Sequence, residues 1–343
     1  MKITVLMGGE SAERNVSLAS GIRIVLALRS RGHEVIAFDP SNGPISEEEQ
    51  QKLVTSAVGT EPPTLDALAK TTGGAFLPGL EAIPEIANAD VVFLALHGGM
   101  GEDGTIQALL DMAHVRYTGS GHLSSALAMD KDLSKKLFRA AGVQTADWLM
   151  APASIEEVDK LLGFPVVVKP SKQGSTVGLS VVKKRDDFDA AVKEAWRYDD
   201  EVMIEQFVPG RELTVGILED QALPVGEIKP VHEIYDYECK YTAGMAVEEF
   251  PAKLSPEQAS RVQAQAVAAF KALKLKGYAR IDFRLSGSED GGSGEFYCLE
   301  ANTLPGMTEL SLIPQGAAAA GITFSELCER IAVTASKKSQ QSR

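Results

Sequence analysis

Apolar positions punctuate this chain in two periods. Residues 3–7 form a short apolar run that ends in Gly8-Gly9, the pattern of a buried strand. From Glu13 to Arg31, Val16, Leu18, Ala19, Ile22, Val25, Leu26 and Leu28 recur at helical spacing, and Gly32 can stop the helix. Glu34 to Phe38 reads as the next strand, and Asp90 to Leu96 as a third, fully buried one. A β-α-β start predicts a parallel sheet with a right-handed crossover. Between these strands, residues 41–89 are rich in Pro, Gly, Ser, Thr and Glu and leave room for two short helices.

Gly119-Ser120-Gly121 reads as a hinge into a second unit. Ser124 to Ala141 has a helical pattern, and Phe164 to Lys169 and Leu179 to Val182 read as strands. Further strands are expected over Met203 to Val208, Leu213 to Leu218 and Leu223 to Ile228. Ser255 to Leu273 is strongly helical, with Pro256 in its first turn, and the polar tail from Lys337 to Arg343 predicts disorder.

Length and charge narrow the picture. A chain of 343 residues buries a large core and predicts two or three domains. Its net charge of −13 lacks the basic footprint of a nucleic-acid or anionic-membrane binder, so neither partner is expected. A local lysine cluster can still receive an anionic substrate. No apolar run is long enough to span a bilayer, and residues 1–7 are too short for a secretory core. Cys239, Cys298 and Cys328 show no pairing pattern, so reduced thiols and a cytoplasmic location are expected.

The densest chemistry lies near the end. Arg280-Ile281-Asp282 and Glu300-Ala301-Asn302 sit on two strand-like runs separated by a Gly/Ser/Asp segment from Ser286 to Gly294. Side chains alternate along a strand, so Arg280 and Asp282 share a face, as do Glu300 and Asn302. If the strands pair, three oxygen ligands and a guanidinium converge, and such oxygens suit a hard cation such as Mg²⁺. An exposed hairpin with a surface ion pair is the alternative.

Four other segments carry candidates. Lys169-Pro170-Ser171-Lys172-Gln173-Gly174-Ser175-Thr176 lies between two strands and fits a flap whose backbone N–H groups and lysine meet a phosphate, or else an ordinary hairpin turn. Glu205, Gln206, Phe207, Val208 and Glu212 can line an adenosine pocket, with a solvated acidic turn as the alternative. Residues 231–250 carry Tyr235, Tyr237, Lys240 and Tyr241 without periodicity, as an ordered lid or an exposed loop would. Glu13 and His97 follow the first and third strands, at the carboxyl edge where open α/β sheets bind ligands. Glu13 can pair with an ammonium, and a loop histidine bonded to backbone is the competing reading of His97.

In order along the chain stand G-G-x-S-A-E-R-x-V-S, H-G-x-x-G-E-D-G, Y-T-G-S-G, M-D-K, V-K-P-S-x-x-G-S-T-V-G, Y-D-Y-x-x-K-Y, R-I-D and E-x-N-T-x-P-G-M-T. Together these resemble the D-alanine–D-alanine ligases of the ATP-grasp superfamily, over nearly the full length. The resemblance implies an α/β (α+β) fold of three units. These are a Rossmann-like parallel-sheet unit over 1–119, a central subdomain with the phosphate flap over 120–205, and a C-terminal unit over 206–343 carrying the lid and metal site. It implies ATP-dependent joining of two D-alanines through an acyl phosphate, with ATP as co-substrate, two Mg²⁺ that Mn²⁺ can replace, and a homodimer.

Residue by residue, the resemblance assigns Asp282, Glu300 and Asn302 to the metals. It assigns Lys131, Lys169 and Lys240 to the phosphates, and Glu205, Gln206, Phe207, Val208 and Glu212 to adenosine. Glu13 and His97 would meet the first substrate, and Ser311 and Leu312 the carboxylate of the second. Arg280 and the Gly306 N–H would stabilise the oxyanion. Glu13, Ser175 and Tyr241 would form a triad that closes the site against water. Tyrosine at 241 goes with dipeptide formation in this family, and phenylalanine there with ester formation from D-lactate. Gln206 departs from the lysine that many members carry beside the adenine carboxylate, which bears on ATP affinity. The other readings are a ligase for a different amino acid or D-lactate, a phosphotransferase, and a catalytically silent ATP-binding regulator.

Overall fold

The computed structural model describes residues 1–11, 13–55, 76–174, 176–231, 244–287 and 294–337. Three sheets organise these residues. The first contains β1 (Lys2–Leu6), β2 (Glu34–Asp39), β3 (Gly43–Pro44) and β4 (Val91–Leu94) in the order β3-β2-β1-β4. β1 pairs in parallel with both β2 and β4, as the β-α-β pattern predicts. Helix α1 (Arg14–Ser30) makes the crossover and buries Val16, Ile24, Val25 and Leu28. Within the 41–89 stretch the described helices are α2 (Glu47–Thr55), α3 (Pro84–Ala87) and a 3₁₀ turn over Leu80–Ala82. Helix α4 (Thr105–Met112) follows β4.

The helix expected over 124–141 is two helices, α5 (His122–Met129) and α6 (Lys131–Ala140). Asp130 breaks the run. It adopts extended backbone and its carboxylate accepts the Leu133 N–H at 2.9 Å, which caps α6. That cap starts the second helix at Lys131. Lys131 and Lys135, four residues apart, then share one face, and both are buried.

The second sheet is antiparallel, with order β5-β8-β6-β7, from β5 (Trp148–Met150), β6 (Val166–Pro170), β7 (Ser180–Val182) and β8 (Val202–Gln206). Helices α7 (Ile155–Leu161) and α8 (Phe188–Ala195) cover one face with Val158, Phe188 and Val192. The third sheet follows the path β12-β11-β9-β13-β14, with β10 on β9. Its strands are β9 (Arg211–Leu218), β10 (Gln221–Ala222), β11 (Gly226–Pro230), β12 (Ala246–Glu249), β13 (Tyr278–Ser286) and β14 (Glu295–Asn302). The strand expected from Leu223 begins only at Gly226, because Pro224 has no N–H to give a ladder.

Helix α9 (Pro256–Ala272), opened by a capping box between Ser255 and Gln258, packs Val262, Ala266 and Phe270 on this sheet. Ala128 of α5 and Phe138 of α6 join the same core. The last helices are α10 (Leu312–Ala319) and α11 (Phe324–Lys337). Helix α11 turns back onto the first sheet, adding Leu327, Cys328 and Ile331 to that core, and Arg31 binds Glu329 at 2.5 Å across the seam. Among the described residues no helix is long and apolar enough to cross a membrane. Residues 338–343 lie outside the described set.

Candidate active site

Two clefts meet where the sheets converge. The first, of about 130 Å³, is lined by Lys131, Lys169, Glu205, Gln206, Phe207, Val208, Glu212, Arg280, Asp282, Glu300 and Leu312. The second, of about 270 Å³, is lined by Glu13, His97, Arg280, Glu300, Asn302, Gly306, Ser311 and Leu312. Arg280, Glu300, Leu312 and Gly174 form the common wall. Every residue given a catalytic, substrate, nucleotide or metal role from the sequence lines one cleft or the other, except Ser175, Lys240 and Tyr241, which lie outside the described residues together with most of the 231–250 segment.

Strand register builds the common wall. β13 and β14 pair antiparallel with Arg280 opposite Asn302 and Asp282 opposite Glu300, which brings all four side chains to one face. Asp282 is nearly buried and well held. Arg280 Nε donates to it at 3.0 Å and Nη2 at 2.9 Å, Thr214 Oγ1 donates at 2.7 Å, and Asn302 Nδ2 donates at 3.0 Å. Lys131 Nζ reaches across to Glu300 at 3.4 Å and donates to the Gln173 carbonyl at 2.7 Å, tying α6 to the flap.

Pairing of β6 with β8 puts Lys169 diagonally across from Glu205 on the same face. Their ion pair measures 2.5 Å. The other oxygen of Glu205 accepts from Lys135, whose side chain is fully buried. Burial opposes ionisation of Glu205, but the two ammonium groups overcome it and hold the carboxyl at about 2. Farther along the cleft, Arg284 pairs with Glu212 at 3.4 Å, donates to the Gly210 carbonyl and lies 5.9 Å from the Phe207 ring centre.

The second cleft is assembled from distant pieces. Glu13 stands at the N-terminus of α1, where the helix dipole favours an anion. Gly98 approaches it closely: its backbone has φ +67° and an added Cβ would lie 3.0 Å from Glu13 Oε2. Gly174 of the flap comes almost as near, with the same construction giving 3.6 Å. His97 is buried and doubly bonded. Its Nδ1 meets the Leu304 carbonyl at 2.9 Å, so Nδ1 carries the proton, and Nε2 accepts from Ser20 Oγ at 3.2 Å. Burial lowers the histidine pKa against the pull of Glu13, which keeps the ring neutral. Ser20 also accepts the Met307 N–H at 3.2 Å. Ser311 Oγ accepts the Thr308 N–H at 3.0 Å and stands beside Gly306. His97 is thus both a backbone-bonded loop histidine and a wall of the cleft.

Three positions in or against the clefts escaped the sequence reading. Lys135 looks like any helical lysine. Ser20 looks like a polar interruption in the apolar face of α1. Glu102 lay inside the H-G-x-x-G-E-D-G motif but was not singled out. It lines the second cleft, accepts the Gly98 N–H at 3.1 Å, and is pushed up to about 7 by burial and by the charge of Glu13. The signal for Ser20 was its place in line with Ser17, whose hydroxyl ties Gly8 to the Ala95 carbonyl.

The profile described as "D-ala D-ala ligase N-terminus" matches residues 2–120, and that described as "D-ala D-ala ligase C-terminus" matches residues 131–333. The chain belongs to the D-alanine–D-alanine ligase family. The family's fold is ATP-grasp, which is the three-sheet architecture seen here. The chain is 42% identical to the D-alanine–D-alanine ligase of Geobacter sulfurreducens over 340 residues, covering 98% of this chain and 95% of that one. The Bacillus anthracis D-alanine–D-alanine ligase complexed with ATP superposes with a TM-score of 0.73 at 32% identity, over 98% of this chain and 96% of that one. The VanG D-Ala:D-Ser ligase of Enterococcus faecalis gives a TM-score of 0.78 at 28% identity, over 96% and 97% of the two chains.

Proposed function

We propose that the chain joins two D-alanine molecules into D-alanyl-D-alanine at the expense of ATP, supplying a cell-wall precursor. The observation that carries this reading is the shared wall. A cleft fit for a nucleotide opens, at Arg280 and Glu300, onto a cleft fit for amino acids. Phosphoryl transfer needs the reacting oxygen and phosphorus held together, and that junction is where they would meet.

Glu205, Gln206, Phe207, Val208 and Glu212 would hold adenosine, and Lys131, Lys169 and Lys240 the phosphates. Asp282, Glu300 and Asn302 fit Mg²⁺: their donor set is all oxygen once the Asn302 amide turns its carbonyl inward, and they lie on one face of two paired strands. Two Mg²⁺, or Mn²⁺ in their place, would neutralise phosphate charge there.

Glu13 would bind the ammonium of the first D-alanine beside neutral His97. The carboxylate of that D-alanine attacks the γ-phosphorus, the bond to the bridging oxygen breaks, and ADP leaves an acyl phosphate. Ser311 and the start of α10 at Leu312 would hold the carboxylate of the second D-alanine. Its deprotonated amine attacks the acyl carbon, and the tetrahedral intermediate expels phosphate. Arg280 and the Gly306 N–H would stabilise the oxyanion. Glu13, Ser175 and Tyr241 would close the site, and Tyr241 favours the dipeptide over an ester. A homodimer in the cytoplasm completes the reading.

The test is ADP release with D-alanine alone, D-lactate alone and both, with the product weighed by mass spectrometry. Dipeptide formed from D-alanine alone is expected. Ester as the main product near pH 7, or ATP binding without D-alanine turnover, would overturn it.

A further inference from the structure

Lys135 has no exposed surface and is sealed behind the nucleotide cleft rather than in it; burial and the nearby Lys169 pull its ammonium below the ordinary lysine range, and the Glu205 carboxylate against it pulls the other way and holds the proton on it. Its Nζ binds Glu205 Oε1, donates to Thr145 Oγ1 at 2.6 Å, and lies 5.1 Å from the centre of the Trp148 ring. Thr145 in turn donates to the Cys298 carbonyl at 2.7 Å, so its oxygen is free to accept from the lysine. The other oxygen of Glu205 belongs to Lys169, which does line the cleft. One buried carboxylate therefore carries two ammonium groups, and only one of them faces the ligand.

This arrangement has a consequence for binding, given the reading above in which Lys169 meets ATP. A lysine that turns to a phosphate oxygen must loosen its hold on Glu205. A carboxylate buried at that depth with only a neutral adenosine group in place of the ammonium is costly and regains a proton. We propose that Lys135 is a positioning residue for nucleotide binding: it is the permanent counter-ion of Glu205, and it lets Lys169 exchange that carboxylate for a phosphate without leaving a buried charge unpaired. The groups acting on Glu205 are Lys135 from α6, Lys169 from β6 and the Cys298 thiol from β14, and a thiol carries no positive charge that could replace either lysine.

The experiment is calorimetric titration of the full chain with ATP and Mg²⁺ at pH 8, without D-alanine, in two buffers of different ionisation heat. The difference between buffers counts protons. Wild type is expected to bind with no proton taken up by Glu205. Lys135→Met is expected to bind roughly 30-fold more weakly and to take up about one proton, because Glu205 is then neutralised as Lys169 departs. A purely structural lysine would weaken binding without changing the proton count. Lys135→Met binding like wild type, or weakening with no proton uptake, would overturn the proposal. So would proton uptake by wild type that Glu205→Gln abolishes, a comparison that leaves out any proton taken up by Glu102 and decides the matter even if Lys135→Met does not fold. Lys169→Met separates the two layers: unchanged ATP affinity there removes the phosphate role of Lys169 itself, whatever Lys135 does.

Discussion

The two clefts share Arg280 and Glu300 but recruit their other side chains by different means. In the nucleotide cleft, cations project from regular elements and each is already held by an acid: Lys169 by Glu205, Lys131 by Glu300, Arg280 by Asp282, Arg284 by Glu212. In the amino-acid cleft, neutral hydrogen bonds tie together segments about 200 residues or more apart, through His97 to Leu304 and Ser20 to Met307. A polyanion is awaited by ion pairs whose cation can be transferred to it. A zwitterion is awaited by a frame of neutral hydrogen bonds with carboxyl groups and Arg280 along its walls. Charge is therefore a transferable resource in one cleft and a fixed address in the other.

Breaking the common wall should have the largest effect. Arg280→Met is expected to lower kcat by about 10³-fold while ATP still binds, as steady-state ADP release and a separate binding titration would show. A loss confined to KM would mean that Arg280 serves only ground-state binding.

Acid should distinguish the clefts next. Glu205 is held at about 2 against an ordinary value of 4.5. A depressed carboxyl stabilises the fold above its unfolded value, and that stability is lost as pH falls from about 4.5 toward 2. The contribution is about 3 kcal/mol. Urea midpoints followed over this window should fall less steeply for Glu205→Gln than for wild type, and equal slopes would remove the ion-pair account of that cleft.

Glu13→Gln tests the fixed address. The KM for the first D-alanine should rise about 30-fold with the KM for ATP unchanged. A matching rise for ATP would mean that the part Glu13 plays in closing the site outweighs its ammonium recognition. The smallest change is expected from Gln206→Lys, which adds a charge at an exposed strand end beside the adenosine pocket. A few-fold lower KM for ATP at constant kcat is anticipated, and a large loss of kcat would show that Gln206 does more than touch the base.

The nucleotide cleft was the more legible of the two in sequence. Strand alternation alone puts Arg280 with Asp282 and Glu300 with Asn302, and the register then only had to bring the two pairs face to face. Lys135 was not legible, because its burial is created by Glu205 and Thr145, which are remote or outside its helix. Asp130 was a missed cap: a short acidic residue before a lysine reads equally as helix interior or helix start until its carboxylate is seen to accept Leu133. In the amino-acid cleft the sequence pointed to Glu13 and His97 by motif, and to Ser311 only through the family resemblance. The ties through Ser20, Leu304 and Met307 depend on tertiary approach and have no periodic trace.

The return of α11 to the first sheet bears on how the chain comes off the ribosome. β1 and β4 emerge early, but the Leu327, Cys328 and Ile331 side chains that finish their core are made some 230 or more residues later. Until then the N-terminal sheet has an apolar flank with no partner. Long-range closure of this kind slows folding and exposes nascent chains to aggregation. A chain stalled before Phe324 would therefore be a client for chaperones, although every residue lining the two clefts would already have been translated.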